Sequence, residues 1–439
     1  MNIHFVGIGG IGVSSLARYF LSKGDKISGS DRNSSEIIQE LKKEGIEIAI
    51  GSHSPDNLKD SIDLLIYTPA ALSGNPEIKK AKRRKIKTMS YPEALGELTK
   101  DYFTIAVSGT HGKSTTTAML SLVMIDAGLD PTVIIGTKLK EFDGKNFRKG
   151  KSKYLLIEAD EYKESFLNYH PNVITITNID KDHLDYYKNF DNITRAFSRY
   201  FKRLLKGGVI IANGDDKNTA KVLSKNRKTS YYSQKEKEAL LIKKIIKIPG
   251  EHNISNALAA FKTARFLGIS SKSILKSLST YRGCWRRFEI FKTGYQGINM
   301  VSDYAHHPIE LEKTLAGARE KYPKNRIIVI FQPHQHNRTT HFFDDFVRVL
   351  SVAPVDKIFI LPIFGVIGRN DKLFTEKNSS KNIAKLSGKN VFYKKNMTEM
   401  KRYLLKDMRA KDLVMVIGAG DINNLFLDIK RFFLDKKKK

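Results

Sequence analysis

The stretch FTIAVSGTHGKSTTT, Phe103 to Thr117, decides the fold. Phe103 to Val107 read as a buried strand, Gly109 and Gly112 frame a tight turn, and Lys113, Ser114 and Thr115 open a helical run through Met119, Leu120, Leu122 and Val123. A strand that passes through glycines, a lysine and a hydroxyl into a helix is a phosphate loop. Its backbone N–H groups form an anion nest, Lys113 offers a point charge to β and γ phosphates, and the Ser114 hydroxyl can ligate magnesium. The usual G-x-x-x-x-G-K-[ST] spacing needs a glycine where this chain has Val107, so the loop is a shortened variant. Gly109, Thr110, His111, Gly112, Lys113, Ser114 and Thr115 are the expected phosphate contacts.

Downstream, the strand-like Tyr154 to Ile157 is followed by Glu158, Asp160 and Glu161, and Val173 to Thr177 by Asn178, Asp180, Asp182, His183 and Asp185. Ligands collect beyond the carboxyl ends of strands in open α/β sheets. Magnesium takes oxygen donors, so Ser114 and Glu158 are the expected metal ligands, and a neutral His183 nitrogen suits a second divalent site. Alone, each acid would be a solvated loop charge; beside a phosphate loop that reading loses ground.

Upstream, Gly7, Gly9 and Gly12 satisfy G-x-G-x-x-G, with Gly10 inside the motif, between the strand-like Ile3 to Val6 and a helical run through Ser14, Leu16 and Phe20. Asp31 follows Gly12 by 31 − 12 = 19 residues, where such folds place an acid for a ribose. The motif encodes a site for a nucleotide diphosphate. A nicotinamide dinucleotide and a UDP-sugar both fit that description, and glycines serving only a tight turn remain the plainer alternative.

At 439 residues the chain is nearly three times the ~150 residues typical of one domain. Short apolar runs alternate with helical patterns, which gives an α/β fold class with parallel sheets. Three domains are expected, at 1–100, 101–284 and 285–439, the last with strands at Ile327 to Phe331, Lys357 to Leu361 and Leu413 to Ile417. The single cysteine, Cys284, excludes an intrachain disulfide and a cysteine-built zinc or iron–sulfur centre. No signal sequence and no apolar run of the about 18 residues that a membrane helix needs is evident, so a cytoplasmic protein without membrane insertion is expected. The net charge of +30 comes from 76 Lys and Arg against 46 Asp and Glu. The lysines are dispersed, with patches at Lys79 to Lys87 and Lys221 to Lys247 and a tail, Lys436 to Lys439, expected to be disordered; a solvated surface is favoured over a nucleic-acid groove.

Nine motifs in order carry a wider likeness: GIGGIGVSS at Gly7, GTHGKSTTT at Gly109, EADEYKESF at Glu158, TNIDKDHLD at Thr177, EHNISNALAA at Glu251, WRRFE at Trp285, DYAHHP at Asp303, FQPHQHNRT at Phe331 and IGAGDI at Ile417. Together they resemble the Mur ligase family over nearly the whole chain, and its alanine-adding branch in particular. The resemblance implies a Rossmann-like N-terminal domain for a UDP-sugar, a central P-loop-type ATPase domain whose loop has the short G-T-x-G-K-[ST] form, and a Rossmann-like C-terminal domain that binds the amino acid. It implies ATP-dependent addition of L-alanine to the lactyl carboxylate of UDP-N-acetylmuramate through an acyl phosphate, in peptidoglycan precursor synthesis. Cofactors would be ATP and magnesium, with manganese as the alternative.

Carried over residue by residue, the resemblance gives Gly7, Gly9, Gly10, Gly12 and Asp31 to the UDP-sugar. It gives Lys113, Glu158, His183, Arg287 and His306 catalytic roles. Asn253 and Asn256 would lie near the adenine, Asp303 at the ATP ribose, and Arg287 at the phosphates. Tyr304, His306, His334 and Arg338 would surround the alanine. His306 and His307 could instead cap a helix near Pro308, and Arg287 could be a surface charge. The family pattern P-H-R-x-x-R reads Pro333-His334-Gln335-His336-Asn337-Arg338 here, so Gln335 replaces one arginine expected at the amino-acid carboxylate. Between Tyr232 and Pro249 the chain is short, which implies a trimmed edge to the central sheet. The competing functions are a Mur-type ligase for a recycled peptide, a dinucleotide oxidoreductase and a nucleic-acid-dependent ATPase.

Overall fold

The computed structural model describes residues 1–71, 74–224, 228–365 and 374–437. The chain divides into two compact units: Met1–Asp182 with Asn189–Ile245 and Ser255–Thr280, and His183–Lys188 with Ile246–Ile254 and Tyr281–Lys439.

The first unit holds two sheets. β1 (Asn2–Val6), β2 (Lys26–Asp31), β3 (Glu47–Ile50), β4 (Leu64–Tyr67) and β5 (Lys87–Ser90) pair in the order β3-β2-β1-β4-β5, all parallel. The winding reverses between β1 and β4, which opens a crevice beyond their carboxyl ends. Gly7 enters that crevice at φ +74°, and a β-carbon there would overlap the Thr68 methyl.

The second sheet contains β6 (Phe103–Ser108), β7 (Thr132–Leu139), β8 (Lys145–Arg148), β9 (Tyr154–Ala159), β10 (Val173–Ile176), β11 (Val209–Asn213) and β12 (Thr229–Tyr232). Its order is β12-β11-β10-β6-β9-β7-β8, with β8 alone running antiparallel, against β7. Because β6 lies between β10 and β9, whatever follows or ends those two strands arrives beside the phosphate loop. Glu158 belongs to β9, opposite Val107, where the sequence had suggested a loop after the strand. The edge at β12 is followed directly by the helix Lys237–Ile245.

The second unit contains β13 (Glu289–Lys292), β14 (Asn299–Asp303), β15 (Ile327–Phe331), β16 (Lys357–Ile360), β17 (Val391–Tyr393) and β18 (Leu413–Ile417), in the order β13-β14-β18-β15-β16-β17. It is parallel except for β13. Its last strand is inserted between β14 and β15, so its strand order differs from that of the first sheet. Both faces are buried: Ile327, Val329 and Phe331 pack with Leu311, Leu315 and Phe346, whereas Ile328 and Ile330 pack with Met400, Phe426 and Phe433. That two-sided burial explains why these strands read as continuous apolar runs.

The helix Ile422–Lys437 takes up the first part of the lysine tail expected to be disordered, and Lys436 Nζ lies 4.8 Å from the Tyr295 ring centroid; 438–439 are outside the described residues. No helix among the described residues is long and apolar enough to cross a membrane.

Candidate active site

The phosphate loop joins β6 to the helix Lys113–Asp126. Gly109 (φ +130°) and Gly112 (φ +83°) occupy backbone regions where side chains are strained, and both are closely packed: a β-carbon at Gly109 would strike Thr177, and one at Gly112 would strike Asn256. The segment after β10 stitches the loop in place. Thr110 N–H donates to the Asn178 carbonyl at 3.0 Å, His111 N–H to Asn178 Oδ1 at 3.0 Å, and Asp180 N–H to Thr110 Oγ1 at 2.9 Å. A loop held on so many sides is organised before an anion arrives, which lowers the ordering cost of binding.

Lys113 Nζ donates to the carbonyls of Gly109 (2.6 Å) and Thr110 (3.2 Å) and to Glu161 Oε2 (2.8 Å), with Asp160 at 3.9 Å. Burial opposes its charge, but Glu161 and Asp160 outweigh burial and raise its pKa, so Lys113 stays protonated. Burial also pushes the Glu161 carboxyl well above its ordinary range, because Lys113 offsets only part of that cost.

Glu158 is held at both oxygens. Oε2 accepts from the Ser114 hydroxyl at 3.1 Å, and Oε1 from Gly136 N–H at 2.7 Å. A β-carbon at Gly136 would lie 2.9 Å from Glu158 Oε2, so the strand approach depends on that glycine. A hydroxyl and a carboxylate side by side at the head of a phosphate loop form an oxygen donor set suited to magnesium. His183 opens the short helix Leu184–Tyr187 at φ +53° and belongs to the second unit.

In the first sheet's crevice, Gly7 and Ile8 N–H both donate to the Ser30 carbonyl, at 2.8 and 3.1 Å, and Gly9 N–H donates to Asp31 Oδ2 at 2.9 Å. Asp31 therefore anchors the glycine loop. A β-carbon at Gly12 would lie 2.9 Å from the Tyr91 ring, so this glycine permits close helix packing, whereas Gly10 has ordinary clearance. The helix Ile11–Ser22 begins at the loop, presenting its first-turn amides and dipole at the crevice.

The second unit gathers the residues expected around the amino acid. The rings of Tyr304 and His306 are 5.4 Å apart, those of His306 and His334 5.8 Å, and Arg338 Nη1 is 3.4 Å from His334 Nδ1. His306 Nδ1 lies 3.0 Å from the Tyr304 carbonyl and 3.4 Å from Glu310 Oε2, acceptors that place a hydrogen on Nδ1. The helix-cap reading also holds, for His307, which precedes the helix Pro308–Lys321 in a capping box with Glu310. Gln335 is buried, adopts φ +70°, and donates its N–H to the Phe364 carbonyl at 2.8 Å.

Arg287 is not a bare surface charge: its guanidinium lies 5.0 Å from the Tyr304 ring centroid, and that of Arg286 lies 4.8 Å away. The buried Arg286 also donates to the carbonyls of Gly418 and Gly420. Asp303 accepts from Phe288 N–H at 2.7 Å and Ala305 N–H at 2.8 Å. The two asparagines separate: Asn256 sits against Gly112 in the first unit, whereas Asn253 donates to the Pro249 carbonyl at 2.7 Å within the second.

Sequence reasoning assigned no role to Glu161, Asn178, Gly136, Glu310 or Arg286. Glu161 and Arg286 lay inside quoted motifs; for Gly136 the only signal was a glycine within a strand pattern.

Residues 2–103 match the description "Mur ligase family, catalytic domain", residues 107–247 "Mur ligase middle domain" and residues 286–420 "Mur ligase, glutamate ligase domain". The chain is 38% identical over 445 residues to a UDP-N-acetylmuramate–L-alanine ligase of Clostridium botulinum, covering 96% of this chain and 95% of the relative. Among solved structures, a UDP-N-acetylmuramate–alanine ligase from Thermotoga maritima superposes with a TM-score of 0.83 at 28% identity, covering 100% of this chain and 99% of that one. A murein peptide ligase from Psychrobacter arcticus shares the fold, with a TM-score of 0.74 at 22% identity over 99% of this chain and 98% of that one.

Proposed function

The chain belongs to the Mur ligase family, and on that premise we propose that it joins L-alanine to the lactyl carboxylate of UDP-N-acetylmuramate with ATP as the activating reagent. The observation that carries the reading is the presence of two glycine-rich strand-to-helix turns on one chain, at Gly7 and at Gly109, each shaped to receive a nucleotide's phosphates. A dinucleotide oxidoreductase would need only the first.

In this reading 1–100 hold the UDP-sugar, 101–284 hold ATP, and 285–439 hold the amino acid. Gly7, Gly9, Gly10, Gly12 and Asp31 shape the sugar-nucleotide site. The first-turn amides of the helix Ile11–Ser22 meet its diphosphate. Gly109 to Thr115 cradle the triphosphate, with Asn253, Asn256, Arg287 and Asp303 as further ATP contacts. Ser114 and Glu158 would hold magnesium or manganese, with His183 at a second metal; the ion supplies positive charge where phosphate oxygens gain negative charge.

Condensing a carboxylate with an amine in water is uphill, so the carboxylate must first acquire a leaving group. A lactyl oxygen attacks the γ-phosphorus of ATP and releases ADP; the amine of L-alanine then attacks the acyl carbon, and phosphate leaves. Lys113, kept cationic by Glu161 and Asp160, stabilises charge on the transferring group. His306 takes the proton that the amine loses. Tyr304, His334 and Arg338 line the amino-acid site, and Arg338 pairs with the carboxylate.

Phosphate release measured with UDP-N-acetylmuramate and either L-alanine or a tripeptide tests the assignment. Release triggered by L-alanine supports it. Release triggered by the tripeptide alone would make this a peptide-recycling ligase.

A further inference from the structure

Outside both cradles, the first unit buries a closed side-chain network around Glu77. This residue lies in the first turn of the helix Pro76–Arg83 and is 0% exposed. Its Oε2 accepts from His4 Nε2 at 2.9 Å and from the Ser30 hydroxyl at 2.7 Å. Its Oε1 accepts from His53 Nδ1 at 2.8 Å and Asn57 Nδ2 at 2.9 Å. His4 comes from β1, Ser30 from β2, and His53 and Asn57 from the segment between β3 and β4, so one carboxylate ties together three parts of the sheet. Burial drives its pKa up, but the four donors prevail and hold it at about 2, so the group is a carboxylate.

An apolar side chain could fill such a position without the desolvation penalty. The difference lies in what Ser30 does with its main chain. The Ser30 carbonyl accepts Gly7 and Ile8 N–H, and the adjacent Asp31 carboxylate accepts Gly9 N–H. Three consecutive amides of the glycine loop therefore hang on residues 30 and 31, while the Ser30 side chain is fixed by Glu77. Gly10 N–H closes the turn onto the Gly7 carbonyl at 3.2 Å, which sets the direction of the helix Ile11–Ser22.

We propose that Glu77 is a positioning residue for the UDP-sugar: with His4, His53 and Asn57 it clamps Ser30, and Ser30 holds the glycine loop in the geometry that receives the diphosphate. The inference rests on the functional reading above and deepens it. Glu77 itself touches no substrate.

The test uses the full-length chain and the variants Ser30→Ala and Glu77→Gln. Ser30→Ala removes the link while leaving Glu77 its other three donors. Both should raise the Kd and KM for UDP-N-acetylmuramate about fivefold to tenfold, with kcat and the KM values for ATP and L-alanine within about twofold. Melting temperature is recorded alongside, because a network that only supports the core would lower Tm without moving the sugar-nucleotide KM. That result in Ser30→Ala overturns the proposal. If Glu77→Gln does not fold, Ser30→Ala decides alone. A wild-type protein that binds no UDP-N-acetylmuramate overturns the functional reading and this inference with it; wild-type binding with unchanged variants overturns only the role of Glu77.

Discussion

Ser114 Oγ donates to Glu158 Oε2 across 3.1 Å, so a helix hydroxyl and a carboxylate of the neighbouring strand β9 stand as an adjacent pair of oxygen donors at the head of the phosphate loop. The pairing depends on Gly136, whose N–H fixes the other carboxylate oxygen. Gly136→Ala should push Glu158 aside without removing it. The expected outcome is a kcat lowered by about tenfold to a hundredfold and a higher magnesium requirement, with UDP-sugar binding unchanged. Titrating activity against magnesium checks it; an unshifted magnesium curve would remove Glu158 from the metal site.

Lys113 supplies the fixed cation of the loop. Lys113→Ala should abolish turnover while the Kd for UDP-N-acetylmuramate stays at the wild-type value, because the sugar nucleotide is assigned to the crevice at Gly7 rather than the loop after β6. Calorimetry of the inactive variant provides the measurement. Loss of sugar-nucleotide binding in a folded Lys113→Ala protein would count against the two-cradle arrangement.

Glu77 also makes a prediction about acid stability. Its ordinary pKa of 4.5 is lowered to about 2 in the folded chain, so the stability it contributes is present above pH 4.5 and is lost as pH falls towards 2. The contribution is on the order of 3 kcal/mol at neutral pH. Urea unfolding of wild type and Glu77→Gln should therefore differ most near pH 7 and converge near pH 2.5. A constant gap across that interval would show that the carboxylate charge is not what the network holds.

At the proposed amino-acid site, Arg338 stands beside His334 without the second arginine of the family pattern. Gln335→Arg should lower the KM for L-alanine and leave that for ATP unchanged, since a second guanidinium strengthens a carboxylate clamp. The position already holds a side chain other than glycine at φ +70°. Unchanged KM for L-alanine would mean that the carboxylate is bound elsewhere.

Much of the fold was legible because buried parallel strands leave uninterrupted apolar runs. Ile327–Phe331 and Leu413–Ile417 form at the residues where the sequence marked them. The insertion of β18 between β14 and β15 was not legible, since strand order depends on how far-apart segments pair. The site divides in the same way. Lys113 and Ser114 follow from local spacing. Glu161 reaches Lys113 from 48 residues away, and Asn178 reaches His111 from 67 residues away, only because β9 and β10 flank β6. Glu77 gave no local signal at all: a glutamate in the first turn of a helix after Asn75-Pro76 reads as an N-terminal dipole partner, and its burial depends on His4, Ser30 and His53 arriving from other strands and loops.

The central claim is that one chain uses ATP to activate the carboxylate of the sugar nucleotide it holds. The direct measurement is single-turnover reaction of UDP-N-acetylmuramate carrying oxygen-18 at both lactyl carboxylate oxygens with ATP and L-alanine, followed by mass analysis of the released phosphate. Transfer of one labelled oxygen to each phosphate is the predicted result, because that oxygen attacks phosphorus and leaves with it. Unlabelled phosphate formed alongside the amide would contradict the account.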